Sequence, residues 1–480
     1  MDIKELKIGI IHSLIGKNDG VSIVIDQTIK AMTEQLRIPL GNLYFMAGHS
    51  APRLQTLTND ILWHRNDTHK YILKQFSSES DDELEELIIK EVKKAKELIY
   101  KFVEKNELDL LIVHNGCHPT NFIMAIAMGM YFEERRNEEL ILPKYLLWWH
   151  DSHFERERFS NPNQVIKKFM KYIPGHNVDG IVFINSKQEK IAELYCKEVG
   201  IENIEKFFNR KTRTIPNTAE IPWDWKAIDK KGEPLIQPLD QYNKDFFKDI
   251  GLLNELEKRN ASIDDSVILL QHTRIVERKR IDHALKFAFK LQEKFKEKGN
   301  DKSIALIISG HSGDELGNYK EFLQNFYKEQ CELHKNDRVI LIFAENFILP
   351  NREFLSDKRF YSFEDIPAVV AKTGGMGTYF SEIEGYGNNL LEMLSAGLPV
   401  IINEYEIFKT DIAHLGFDLI KTENGNITDE AVEASYQLLT DFGLRQKIVR
   451  NNLKVLEEKL NHSIMADSLG SLLKNIFRYK

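Results

Sequence analysis

Residues 379–403 read YFSEIEGYGNNLLEMLSAGLPVIIN, and the order of residue types in this stretch decides the fold class. It begins with an apolar run and a loop carrying Gly385 and Gly387. An apolar-periodic segment from about Asn388, a stop at Gly397 and a β-branched run then complete strand, loop, helix, strand. Two strands joined through a helix belong to a parallel sheet, so the stretch is one βαβ unit. The same alternation extends outward from it. Strands are expected at residues 266–272, 304–310, 338–343, 368–371, 379–381 and 398–403, and in the first half at 7–12, 43–47, 109–114, 144–150 and 180–185, with helices over 21–35 and 82–104. Runs this apolar suit strands buried on both faces, which makes the chain an α/β protein.

A chain of 480 residues is longer than one core usually serves. The sequence predicts an N-terminal domain over residues 1–222 and a second over 265–450. Between them, residues 223–264 contain Trp223, Trp225 and a helix near 246–259 but no strong strand signal, and are read as a linker region. Residues 429–480 have helical apolar spacing throughout, and 451–480 are expected to form helices able to pack back on the first domain.

Apolar residues at 42% and charged ones at 29% describe a globular rather than a disordered chain. The charge, 65 minus 73 or −8, gives no overall attraction to nucleic acid or anionic lipid, so any anion site must be a local cluster of cations. Cys117, Cys196 and Cys331 are odd in number and far apart, with no CxxC pair, which fits a reducing cytoplasm better than a disulfide framework. The start has no signal-peptide pattern, and the longest apolar stretch, 122–132, is well short of the roughly 18–20 residues that cross a bilayer. The expectation is a cytoplasmic protein without an integral membrane segment.

A helix N-terminus preceded by glycines offers free N–H groups and a positive dipole end to a phosphate or diphosphate. Glu392, about one turn into that helix, and Glu384, just before the loop, stand eight positions apart across the turn. They can hold hydroxyl groups on either side of a diphosphate, as a nucleotide-sugar presents them. The alternative is two surface carboxylates beside an ordinary turn. A second feature follows the strand at 266–272: QHTRIVERKR, residues 271–280, puts Arg274 and Lys279 at the carboxyl end of the second domain's first strand, where open parallel sheets bind ligands. Two cations there would neutralise a diphosphate and stabilise the charge that grows on it as its bond breaks; the alternative is a solvated basic turn. KTGGMG at 372–377 lacks the GxxxxGK[ST] spacing and is read as a flexible turn.

In the first half, His150 ends a buried-looking run and opens HDSHFERERF, in which Asp151, Arg156 and Arg158 face the presumed crevice and could hold an anionic acceptor. For residues 155–158 an exposed, ion-paired helix is the alternative. His114 and Asn115, after the strand LDLLIV, are candidates for the same acceptor side. The chain has no DxD and no zinc-type His/Cys spacing, so no metal ligands are assigned.

Arg274 with Lys279, and the segment from Glu384 to Glu392 followed by Gly397, Pro399 and Val400, resemble the retaining nucleotide-sugar glycosyltransferases of family 4. The loop ending at Gly20, WWHD at 148–151, VFINS at 182–186 and IPN at 215–217 extend the resemblance over most of the chain. One departure is the loop Asn18, Asp19, Gly20, Val21, where many members have two adjacent glycines. The resemblance implies the GT-B fold, two Rossmann-like domains facing a central cleft, with a helical C-terminal tail. It puts Glu392 on the ribose, Glu384 on the donor sugar, Arg274 and Lys279 on the diphosphate, and Gly20, Gly385, Tyr386, Gly387, Asn388, Asn389 and Leu390 around the nucleotide-sugar. His150 would reach the donor sugar from the first domain. It further implies transfer of a hexose with retention, no enzyme nucleophile, and no cofactor besides the nucleoside-diphosphate sugar donor. The expected acceptor is a small, phosphorylated or carboxylated molecule, as for a mannosylglucosyl-3-phosphoglycerate synthase. A lipid-linked or polysaccharide acceptor, a glycoside phosphorylase and a nucleotide-sugar epimerase remain as alternatives.

Overall fold

Thirteen strands fall into two wholly parallel sheets in the computed structural model, which describes residues 2–51, 54–78, 82–155, 159–173, 177–198, 211–221, 238–312, 318–350 and 360–478. The first sheet contains β1 (Ile8–Ile15), β2 (Leu43–Ser50), β3 (Thr56–Thr58), β4 (Leu110–His114), β5 (Lys144–Trp149), β6 (Gly180–Phe183) and β7 (Thr212–Thr214). Its spatial order is β3-β2-β1-β4-β5-β6-β7. The second contains β8 (Ser266–Gln271), β9 (Ser303–Ile308), β10 (Val339–Phe343), β11 (Met376–Tyr379), β12 (Val400–Asn403) and β13 (Ile420–Thr422), in the order β10-β9-β8-β11-β12-β13. Each sheet is wound outward from its first strand to one edge and then restarted on the other side. That topology creates a switch point between β1 and β4 and another between β8 and β11, where carboxyl ends diverge and leave room for a ligand.

Strands β4, β8 and β9 are buried along their length, and β1 at all but Leu14, as expected of parallel strands covered on both faces. By contacts the chain divides into one unit of Met1–Asn217 with His462–Lys480 and another of Thr218–Asn461. The three C-terminal helices are Asp429–Thr440, Phe442–Lys459 and His462–Arg478. The last of them packs in the first unit, where an added Cβ on Gly470 would lie 2.9 Å from Leu36 Cδ2 and one on Gly180 2.7 Å from Ile476 Cδ1.

Several expectations need correction. Residues 368–371, read as a strand, lie in the helix Ile366–Lys372, which Pro367 opens in its first turn. The strand comes later, as β11, and ends at Tyr379 rather than occupying 379–381. KTGGMG is therefore a helix end and a strand start. Gly374 turns the chain at φ +78°, and a Cβ on Gly375 would lie 2.3 Å from Ile268 O. A Cβ on Gly377 would meet Met393 Sδ at 2.7 Å. Glycine is needed there for close packing. The single helix expected over 246–259 is two, Gln241–Asp249 and Leu252–Glu257, broken where Gly251 takes φ +80°. The helix expected over 21–35 is α-helical only over Gly20–Lys30 and continues as a wider π turn over Ala31–Gln35. Edge strands β3, β7 and β13 were not anticipated. Residues 222–237, with Trp223 and Trp225, and the side chain of Cys196 lie outside the described residues. Among the described residues no helix is long and apolar enough to cross a membrane.

Candidate functional site

At the second switch point two loops are tied together by charge. After β8, His272 and Thr273 are buried, and the chain passes Arg274 into a short 3-10 turn, Glu277–Lys279. Gly310, just past β9, allows the approach, because a Cβ there would lie 2.0 Å from Thr273 O. After β11 the loop 380–387 leads into the helix Asn388–Ser395. Glu382 N donates to Arg278 O at 2.9 Å and Arg278 Nη1 donates to Ile383 O at 2.8 Å. The Lys279 ammonium is bonded to Glu384 Oε1, which also accepts from Tyr379 OH at 2.7 Å, while Arg278 stands 3.4 Å from Oε2. The Lys279 and Glu384 side chains keep only 5% and 9% of their surface.

Burial by itself pushes the two groups in opposite directions, and their neighbours decide the outcome at each. Burial would raise the Glu384 carboxyl, but Lys279 and Arg278 outweigh it and hold the group down at about 2. For Lys279 burial is the larger effect, and although Glu384 favours its charge, the ammonium falls to about 8, helped down by Arg278 and Arg274. At neutral pH the site therefore holds an ion pair with two further cations near it.

The helix start is shaped by Gly387, which takes φ +128° and whose missing Cβ would lie 2.4 Å from Tyr405 Oη. Tyr405 OH in turn donates to Tyr386 O at 2.5 Å, fixing the loop. No side chain caps the first turn. Glu392 accepts from Asn389 Nδ2 at 3.0 Å and stands 3.4 Å from His272 Nε2. His272 is itself fixed by Ser309 Oγ at 2.8 Å and by stacking on Phe363 at 3.9 Å between centroids. The structure thus gathers Arg274, Lys279, Glu384, the loop from Gly385 to Leu390 and Glu392 around the ends of β8 and β11. Sequence reasoning missed Arg278, His272, Tyr379 and Tyr405. Arg278 and His272 lie within QHTRIVERKR, but the partners that give them a role, Glu384 and Glu392, are over a hundred positions away.

In the first unit three histidines cluster, His12 within β1, His114 as the last residue of β4 and His150 just after β5. His12 Nδ1 lies 3.0 Å from His114 O, and His114 Nδ1 lies 3.0 Å from His150 Nε2. Burial pushes all three below the ordinary imidazole value, and at His114 the neighbouring His150 and His12 add to it. Asn115 adopts φ +57° and donates its N–H to Trp148 O at 2.9 Å. Asp151 accepts from Ser152 N at 2.9 Å and lies 3.8 Å from His118 Nε2. Glu155 accepts from Trp149 Nε1, Ser152 Oγ and Gln188 Nε2 at 2.9–3.1 Å, while burial and Asp151 raise its pKa. Arg156 and Arg158 lie outside the described residues. Gly20 is the exposed first residue of its helix, and the Asp19 carboxylate accepts from Val21 N and Ser22 N, so a side chain already caps that end.

No protein-family profile matches the chain. Two curated relatives do. The chain is 27% identical over 467 residues to a mannosylglucosylglycerate synthase of Petrotoga mobilis, covering 91% of this chain and 94% of that one. It is 22% identical over 488 residues to the mannosylglucosylglycerate synthase of Thermotoga maritima, covering 97% and 99%. Among solved structures, a UDP-forming α,α-trehalose-phosphate synthase from Burkholderia xenovorans superposes with a TM-score of 0.61 at 10% identity, over 98% of this chain and 99% of that one. With two doubly wound sheets shared along nearly the full length and likeness to synthases over nine-tenths of the sequence, the chain is a glycosyltransferase of the GT-B fold.

Proposed function

We propose that the chain transfers a mannosyl group from a nucleoside-diphosphate mannose to a hydroxyl of glucosylglycerate, with retention of anomeric configuration. The observation that carries this reading is the convergence of Lys279, Arg274 and an uncapped, glycine-led helix start on the β8–β11 switch point, with Glu384 and Glu392 on either side. A diphosphate fits that arrangement because it meets fixed positive charge and the positive end of a helix dipole. Glu384, kept ionised, accepts from hydroxyls of the transferred sugar, and Glu392 accepts from the ribose. The relatives' name supports mannose and glucosylglycerate as the two halves of the product. The unphosphorylated name favours glucosylglycerate over the phosphoglycerate glycoside suggested by the sequence.

In this scheme the acceptor hydroxyl attacks the anomeric carbon on the face that the diphosphate leaves. The bond from carbon to phosphate oxygen breaks, and that oxygen takes the acceptor's proton. Lys279 and Arg274 stabilise the departing charge, so no divalent cation is required and transfer continues in excess EDTA. His150 meets a hydroxyl of the transferred sugar, and Asn115, Asp151, Arg156 and Arg158 serve the acceptor.

The test is transfer from GDP-mannose, UDP-glucose and ADP-glucose to glucosylglycerate or its 3-phosphate, with the product's anomeric configuration read by NMR. The expected product is an α-mannosyl glucosylglycerate. Turnover of a nucleotide-sugar without acceptor to its epimer, or sugar release driven by inorganic phosphate, would replace this reading with an epimerase or a phosphorylase. Lys279→Ala should lose on the order of 3 kcal/mol of transition-state stabilisation, about a hundredfold in turnover.

A further inference from the structure

His114 is fully buried, and its ring is held on two sides. Nδ1 lies 3.0 Å from His150 Nε2, and the ring stacks on Trp148, its register partner on β5, at 5.0 Å and 15° between planes. Its own carbonyl is bonded to His12 Nδ1 at 3.0 Å, which requires the proton of His12 to be on Nδ1. The remaining atom, His114 Nε2, is enclosed and has no hydrogen-bond partner among the described residues. That asymmetry fixes the protons. A buried N–H without an acceptor is costlier and rarer than an acceptor without a donor. His114 therefore carries its proton on Nδ1 and donates it to His150 Nε2. With Nε2 accepting, neutral His150 must hold its own proton on Nδ1. His150 Nδ1 makes no hydrogen bond among the described residues and is not among the enclosed unpartnered atoms, while the residue keeps 8% of its surface.

We propose that His114 is a positioning residue: through its bond to His150 Nε2 it sets the tautomer and ring orientation of His150, so that His150 presents an Nδ1–H donor to a hydroxyl of the sugar being transferred. The role differs from lining the acceptor pocket, since His114 is fully buried, with Nδ1 on His150 and Nε2 enclosed. The inference rests on the proposed contact between His150 and the transferred sugar, and the experiment separates the two ideas.

The full chain and its His150→Ala, His114→Phe, His114→Asn and His114→Phe/His150→Ala variants are compared by melting temperature and by kcat/KM for transfer. Asn places an amide donor near the former Nδ1, whereas Phe keeps the stacking on Trp148 without any donor. His114→Phe should lower kcat/KM roughly tenfold, the worth of one hydrogen bond, and His114→Asn should restore most of it. In the His150→Ala background His114→Phe should have almost no further effect, which a merely structural role would not produce. Independent, multiplying losses from the two single variants would overturn the proposal, as would full activity in His114→Phe when His150→Ala is impaired. An unimpaired His150→Ala variant would instead refute the sugar contact. Tautomers are read without activity by long-range 1H–15N correlation on histidine-labelled protein. The wild type should show an Nδ1–H signal that disappears in His150→Ala, and an Nε2–H form of His150 would sink the proposal even if every variant were too unstable to assay.

Discussion

Lys279 and Glu384 illustrate how one buried pair yields two different pH dependences. Lys279 is at about 8, so it carries its charge at neutral pH and loses it just above. If that charge holds the donor diphosphate, kcat/KM for the donor, which reports the free enzyme, should fall about tenfold per pH unit above pH 8. A profile flat to pH 9.5 would remove Lys279 from donor binding. Glu384, at about 2 in the fold against an ordinary 4.5, contributes stability that is complete above pH 4.5 and lost as pH falls toward 2. Urea titrations at pH 7 and pH 3 should show Glu384→Gln less stable than wild type at pH 7, with the gap narrowing at pH 3. Arg445 presents the opposite case. It is 4% exposed, its Nη1 and Nη2 have no partner among the described residues, and burial lowers it to about 10. Replacing an unpaired buried charge by an unbranched apolar chain of similar length removes a desolvation penalty, so Arg445→Met should be more stable by about 1–3 kcal/mol in denaturant titration. Arg274, Lys279, Glu384 and Glu392 were legible in the sequence because each lies at a fixed offset from a strand end or helix start. His272 and Arg278 were not, because their importance comes from through-space neighbours, Glu392 and Glu384, that lie over a hundred positions away.

At the scale of elements, the helix Asn388–Ser395 depends on one residue before it. Gly387 combines a φ reserved for glycine with a contact that leaves no room for a methyl group, since the Cβ would lie 2.4 Å from Tyr405 Oη. Gly387→Ala should cost about 1–3 kcal/mol of strain and displace the loop that Tyr405 ties down. Calorimetric titration with the nucleoside diphosphate should show affinity reduced at least roughly tenfold, since each 1.4 kcal/mol is one decade. Adding Tyr405→Phe removes the oxygen but not the φ penalty, and should recover only part of the loss. Wild-type affinity in Gly387→Ala would mean that this helix start does not hold the diphosphate. The βαβ unit around Gly387 was readable because glycines, apolar period and strand composition all agree there. AVVA at 368–371 misled because a four-residue apolar run carries no period long enough to separate strand from buried helix, and the neighbouring Pro367 proved to be a helix opener. Strands β3, β7 and β13 have three residues each, and all contain threonine, so neither length nor hydrophobicity distinguished them.

For the molecule as a whole, sequence order and structural unit do not coincide. After building the second sheet and its helices the chain crosses back, and His462–Arg478 completes the first unit, burying Met465, Leu469, Leu472, Leu473 and Ile476. Truncating a buried leucine typically costs 2–5 kcal/mol, and the helix supplies three that are fully enclosed, comparable with the ~5–15 kcal/mol by which a whole domain is stable. Removal of residues 462–480 should therefore abolish cooperative folding of the first unit and leave the second unit's transition in place, as read by scanning calorimetry with and without donor nucleotide. The nucleotide sharpens the assignment, because a ligand at 100 times its Kd adds about 2.7 kcal/mol to the unit that binds it. In the truncated chain the surviving transition should still rise with nucleoside diphosphate, and a peptide of residues 460–480 added in trans should restore the missing one. A truncated chain with both transitions unchanged would show that the sheet β1–β7 with its remaining helices is self-sufficient, and that the returning helix contributes little to the fold.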